Sequence, residues 1–479
     1  MIQPATRNQG SNGARVAPTA APPPPREARA GLPLKLLALL WFLVLYDVHW
    51  LLASRGLPVL KAPIVAYLAL GAAVAWGFLN NGSWQRRWTW YPPYAAYIAT
   101  GAVMIPFALN RGMARDNVQG FILFWFLIVS TVLLVDSARR AERLLRLYGM
   151  QFIWFGLWGS ATGLVGWHTT LANHDGFGSF MAIGLGFTAF MYFASNDKRF
   201  RRAMLVALAL CAVGVVASFA RGAFLAAAGV FGVVLLRSPH KGRTLGMGVG
   251  AAILVIAASQ ILYPGQFWAE ISSVFDEGTT EGTGEDRWVL WSAAWEVYLN
   301  HPILGTGPGN WGVFASTHFV AGELGSRYVN NPTMLYNRSL HSEYFRILAE
   351  QGTLGIMAFA WILWDFWKRN AALRTRQAQQ IWSELGGSMQ LQSIAYSLEA
   401  ALVAWMAVSA IYSQSGKHWF YTIIGLNLLI HTLVTRRRPS RPSAPLVGPE
   451  FVSRGVPASS RSGSPVPRGV SPGAKRNGR

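Results

Sequence analysis

From Leu34 to Val434 the chain alternates long apolar runs with shorter polar stretches. Most runs are about 15 to 23 residues, enough at roughly 1.5 Å per helical residue to cross a hydrocarbon core of about 30 Å. Twelve spans are expected, over roughly 34–53, 62–80, 91–109, 118–136, 150–168, 176–195, 203–219, 222–236, 244–263, 345–367, 398–413 and 418–434. The expected fold is an all-α polytopic membrane protein. Transmembrane helices 1–9 fall within residues 33–263, a large loop carrying amphipathic helices covers 264–342, and helices 10–12 fall within 343–435. The first run follows a basic stretch, as in a signal peptide, but its length of about 20 residues and the lack of a small-residue cleavage site make it a retained helix. Residues 1–32 and 436–479, rich in Pro, Gly, Ser and Arg, read as disordered tails.

Composition supports this reading. Hydrophobic residues make up 52% of the chain and charged residues 13%, against about 25% charged in soluble domains. A net charge of +21 would suggest nucleic acid as partner of a soluble protein. Here the basic residues stand in short clusters between apolar runs, so nucleic-acid binding is set aside. With a cytoplasmic N-terminus, Arg139, Arg140, Arg143 and Arg146, and likewise Lys198, Arg199, Arg201 and Arg202, all fall on the cytoplasmic side, as the positive-inside rule requires. The C-terminus is then cytoplasmic too, and 264–342 lies outside. The single cysteine, Cys211, excludes an intrachain disulfide and a cysteine metal cluster.

A connection as long as 264–342 without an apolar span is usually functional. Its acidic stretch from Asp276 lacks EF-hand spacing and reads as a solvated segment. In RWVLWSAAWEVYLNHP, Arg287, Trp291, Ala294 and Tyr298 fall at i, i+4, i+7 and i+11 on one helical face, with Trp288 and Trp295 nearby. Aromatics beside a basic residue suit a helix at the headgroup level. Three residues stand out as candidates for chemistry. Arg221, in a turn between two apolar runs on the outer side, needs an anion, a carboxylate or a watery cavity, or else snorkels to headgroups. Arg287 is a second outer arginine, and two converging guanidinium forks would clamp a diphosphate. His341, in NRSLHSEYFRILAEQGTLG, can take a proton from a hydroxyl near neutral pH. As the alternative it caps or packs at a helix start, where Ser342 is placed to be N-cap and Gly352 and Gly355 allow close packing.

Weaker substrate-binding candidates are His174 and Asp175, with capping as the alternative, and Trp291 on the face of Arg287. His168 lies near them. Asp47 and His49 point to different faces of the first span. Gly305, Gly307 and Gly309 have no strand before them, so a dinucleotide fingerprint is dismissed. No metal site is convincing, and neither metal nor cofactor is expected.

Twelve spans, the large outer loop, ARGA with Arg221, RWVLWSAAWEVYLNHPILGTGPGNW and HSEYFRILAEQGTLG together resemble the O-antigen ligase family of bacterial membrane glycosyltransferases, whose relatives include O-antigen polymerases and O-linked oligosaccharyltransferases. The resemblance covers roughly residues 150–435. The family often has Ser before the arginine and Asn after the histidine, where this chain has Ala220 and Ser342. It implies an inner-membrane enzyme with a periplasmic site. The donor would be a glycan on undecaprenyl diphosphate and the acceptor a hydroxyl of lipid A-core. In that reaction Arg221 and Arg287 would hold the diphosphate and His341 would activate the acceptor. A polymerase would use the same donor chemistry. A transporter or flippase would carry broken helices in two related halves, a symmetry the sequence does not display.

Overall fold

The computed structural model describes residues 31–47, 62–80, 89–165, 171–238, 240–262, 265, 282–318, 336, 339–414 and 417–436. Residues 1–30 and 437–479 of the expected tails, residues 276–281 of the acidic stretch, and His49 and His168 lie outside these residues, while the end of the acidic stretch, residues 282–286, is helical and not the solvated segment expected. The described residues form helices α1 (Leu32–Tyr46), α2 (Ala62–Asn80), α3 (Pro92–Met104), α4 (Arg111–Leu134), α5 (Ala138–Gly159), α6 (His174–Ala194), α7 (Lys198–Ala217), α8 (Arg221–Arg237) and α9 (Lys241–Leu262). Within the long loop follow α10 (Gly282–Asn300) and α11 (Trp311–His318), and then α12 (Glu343–Ala372), α13 (Arg376–Glu384), α14 (Leu391–Ser409) and α15 (His418–Arg436).

Six helices, over 63–80, 111–134, 174–194, 198–217, 343–372 and 391–409, are long and apolar enough to cross a membrane. The other six expected spans also hold helices. The apolar window of α6 is 78% buried and that of α2 only 22%, so α6 lies at the centre of the bundle and α2 at its margin. α14 packs most extensively on α6 and presents Ala400, Ala401 and Ala404, all fully buried. Small side chains of this kind let helix backbones approach closely, the usual basis of helix association in lipid.

The fifth span corrects the expectation. Helix α5 begins at Ala138, about three turns before residue 150, and the arginines from 139 to 146 are part of it. Ser137 caps it by accepting from the Arg140 N–H at 3.4 Å. Arginine favours helix as much as most apolar residues do, but a hydropathy window discards it. For the same reason α13, polar on one face, escapes a search for apolar runs, and α10 starts at Gly282, ahead of Arg287.

Within the long loop, α10 buries Leu290, Ala293, Ala294 and Val297 against Trp311, Phe314, Leu340 and Ala349, forming a second small core on the start of α12. The face expected from the spacing of Arg287, Trp291, Ala294 and Tyr298 turns partly inward, while Trp288, Trp295 and Leu299 are exposed. α12 is interrupted at Gly352 (φ 62, ψ −158). The run 302–307 supplies the lost hydrogen bonds. Thr306 and Gly307 donate to the carbonyls of Ala349 and Glu350 at 3.0 and 2.8 Å, and Thr353 and Leu354 donate to Pro302 and Ile303 at 2.7 and 3.1 Å. A Cβ on residue 352 would stand 2.6 Å from the Ile303 carbonyl carbon, so the position requires glycine. Gly305 and Gly307, dismissed as part of a nucleotide fingerprint, thus belong to a segment that repairs a broken helix, which buried non-helical backbone needs in a membrane protein.

Candidate functional site

Helices α6, α8 and α12 begin at one end of the bundle, where residues 410–414 turn away from the end of α14 and Lys417 stands just before α15. Tyr412 in that turn is where the candidate residues meet. The Arg287 guanidinium lies 5.7 Å from the Tyr412 ring centroid, within cation–π range. The His341 ring is 6.4 Å away, inclined at 65°. The Tyr412 hydroxyl interacts with Asp175 in the first turn of α6, and its ring lies against Gly222 in the first turn of α8. Burial and the Asp175 carboxylate push the phenol well above its ordinary pKa, so it stays a neutral donor. Arg221, partly buried, is the first residue of α8. A Cβ on Gly222 would fall 2.3 Å from Tyr412 Cε2, so only glycine admits the ring this close to the turn carrying Arg221.

Local backbone explains how the side chains reach this end. His341 has φ 51 and Phe219, two residues before Arg221, has φ 49. Both are left-handed conformations that cost non-glycine residues about 1 to 3 kcal/mol and cluster at functional sites. Each directly precedes a helix start. The N-cap of α8 is Ala220, without a capping side chain, and Ser342 occupies the N-cap of α12 without a side-chain capping bond. Ser342 therefore holds the expected position but not the expected bond. Two helix starts without side-chain caps and the guanidinium groups beside them favour an anion.

Beneath the site, Arg346 donates to both Glu343 and Glu350, its Nη1 lying 2.6 Å from Glu350 Oε2 and its Nε 3.1 Å from Glu343 Oε2. All three are at least 94% buried. Glu343 also accepts the Gln414 N–H at 2.8 Å and Glu350 the Trp311 N–H at 3.4 Å. This triad ties the start of α12 to the turn of Tyr412 and to the long loop. Lys417, partly buried just before α15, lies 4.6 Å from the Trp419 ring centroid. Burial lowers its pKa to about 8, while Asp175 and Glu343 pull the other way.

The structure brings Arg287, His341 and Asp175 together around Tyr412, and places Arg221 beside Gly222 at the adjoining helix start. His174 is exposed at the start of α6, which Asn173 caps by accepting the Gly176 N–H at 2.6 Å. Capping thus falls to neither His174 nor Asp175. Trp291 donates its indole N–H to the Leu340 carbonyl at 2.9 Å and stacks on Phe345 at 5.3 Å, tethering α10 beside His341. Sequence reasoning missed Tyr412, Lys417 and the Arg346 triad. Lys417 carried a usable signal, since it is a basic residue in a minimal turn on the same side as Arg221. Tyr412 carried none, being one of 15 tyrosines and distinguished only by its neighbours.

Fold and site define a class, an all-α polytopic membrane protein that gathers arginines, a histidine and a carboxylate at one end of its bundle. Residues 206–360 match the family model described as O-antigen ligase, which is what this part of the chain is similar to. No curated protein matches the chain. The matched segment takes in Arg221, Arg287 and His341 but not Asp175, Tyr412 or Lys417.

Proposed function

We propose that the protein is an inverting glycosyltransferase of the bacterial inner membrane. It would transfer a glycan from undecaprenyl diphosphate to a hydroxyl of lipid A-core, with its site on the periplasmic face, both termini in the cytoplasm and twelve transmembrane spans. The observation that carries this reading is the convergence on Tyr412 of Arg287, His341 and the helix start bearing Arg221.

In this reading Arg221 and Arg287 grip the diphosphate through bidentate, charge-assisted hydrogen bonds, with two helix starts adding their partial positive charge. His341 takes the proton from the acceptor hydroxyl. The oxygen attacks the anomeric carbon on the face opposite the diphosphate, the bond from that carbon to the phosphate oxygen breaks, and configuration inverts. The diphosphate leaves with its charge already compensated, so no second carboxylate is needed to protonate it, unlike an alkoxide in glycoside hydrolysis. Asp175 acts through Tyr412 and holds the ring that Arg287 and His341 share.

The test is glycan transfer by the purified protein in detergent, with a lipid diphosphate-linked glycan and with or without rough lipopolysaccharide. Transfer onto lipid A-core only when acceptor is present supports the ligase reading, and chain growth on the carrier without acceptor makes the protein a polymerase. His341→Ala should abolish transfer while the protein remains folded and still binds donor. Full transfer by this variant would remove His341 from the chemistry.

A further inference from the structure

The opposite end of the bundle holds a second cationic feature that glycan transfer does not use. Arg139, Arg143 and Arg146 recur at i, i+4 and i+7 in the first turns of α5, on one face. With Glu142 they line one wall of a cavity of about 540 Å³, and Ser383, Gly386, Gly387 and Ser388 line the other. Glu142 is buried and accepts from the Ser388 N–H at 2.6 Å, the Met389 N–H at 2.8 Å and the Ser388 hydroxyl at 2.8 Å. Its carboxylate thus holds the far wall in place. Arg146 donates to Asp197 at 2.9 Å, while Arg139 and Arg143 are exposed and the Arg139 side chain lies against Gly386. The cavity therefore carries an excess of positive charge on planar, forked donors.

The same helical face continues past the arginines as Met150, Ile153 and Leu157, at i+11, i+14 and i+18 from Arg139. Met150 is 39% exposed, Leu157 67% exposed and Ile153 partly buried. One stripe of α5 thus runs from guanidinium groups at the bundle end into open apolar surface for about 10 Å toward its middle. A soluble anion would use only the first half of this stripe, whereas an amphiphile uses all of it. The positive-inside rule accounts for arginines at this end. It does not account for a cavity wall pinned by a buried carboxylate, nor for the apolar continuation.

We propose that this cavity binds the phosphodiester headgroup of an anionic phospholipid, with one acyl chain lying along Met150, Ile153 and Leu157. Basic pockets between helices on the cytoplasmic side are suited to such headgroups. Arg139 and Arg143 supply the forked donors to the phosphate, and Arg146 closes the cavity from its pair with Asp197.

The test uses the full-length protein in nanodiscs of phosphatidylcholine, with and without phosphatidylglycerol, read by thermal unfolding and by lipid retained in native mass spectrometry. The expected result is a higher unfolding midpoint and retained phosphatidylglycerol for the wild type. Arg139→Gln with Arg143→Gln should lose both, with a fall in lipid affinity of roughly 30-fold at about fivefold per arginine. The charge-matched pair Arg199→Gln with Arg202→Gln, exposed at the same end but outside the cavity, should keep both. Unfolding in phosphatidylcholine alone separates loss of the lipid from loss of the fold. Equal losses in the two double variants would overturn the site in favour of general surface charge. Wild-type stabilisation by inorganic phosphate that matches that by phosphatidylglycerol and disappears in the Arg139→Gln with Arg143→Gln variant would overturn the lipid as the source of the phosphate. Loss of retained phosphatidylglycerol in Leu157→Ser, with its unfolding midpoint in phosphatidylcholine unchanged, would support the acyl stripe, and full retention would overturn it.

Discussion

Tyr412→Phe removes one oxygen atom from the point where the site converges, and so tests the arrangement more sharply than deleting a charged residue. The phenylalanine ring still fills the space against Gly222 and faces Arg287 and His341. What is lost is the interaction of the hydroxyl with the Asp175 carboxylate. A bond to a charged partner is worth about 1.5 to 3 kcal/mol. If positioning of the ring serves the reaction, the loss falls on the chemical step as roughly 10-fold to 100-fold in kcat. The assay is initial-rate glycan transfer at varied donor concentration, with the unfolding midpoint measured in parallel. A residue that merely supports the fold would lower the midpoint and leave kcat of the folded fraction unchanged. Gly222→Ala should be at least as harmful, since its Cβ would lie 2.3 Å from the ring and force Tyr412 away. If Tyr412→Phe transfers glycan within twofold of wild type, the phenol does not organise the site and the reasoning fails.

Arg287→Lys keeps the charge but not the planar fork, so most transfer activity should disappear, visible as a lost product ladder with normal expression. A wild-type rate would refute the diphosphate clamp. Arg346→Leu leaves Glu343 and Glu350 buried without their cation, at an expected cost of about 3 to 5 kcal/mol. Thermal unfolding in detergent checks it, and an unchanged midpoint would mean that water reaches the triad. Lys417, with a pKa near 8, is charged at pH 7 and neutral by pH 9. Between pH 8 and about 10.4 the unfolded chain binds the extra proton, so Lys417 makes stability rise with pH across that window. In Lys417→Met this rise should vanish from the midpoint measured against pH, and its persistence would place the titration elsewhere.

The helical class of the chain was legible in the sequence because the bilayer leaves a spanning segment almost no choice. Every backbone polar group must be satisfied within the segment, so an apolar run of sufficient length is a helix before any contact is known. Arg221 and His341 were legible for a related reason, as ionisable residues placed where solvation is costly demand an explanation. Arg287 followed from its spacing with Trp291 and Tyr298. Tertiary structure decided the rest. The true start of α5 was hidden because arginine is a good helix former that a hydropathy window reads as loop. The break at Gly352 and its repair by residues 302–307 depend on hydrogen bonds between segments some 45 residues apart, which no local pattern encodes. Tyr412 is the clearest case. Its meaning lies in four neighbours from separate parts of the chain, Asp175, Gly222, Arg287 and His341. A sequence specifies what each residue is able to do, and only the packing of helix ends determines which of them meet.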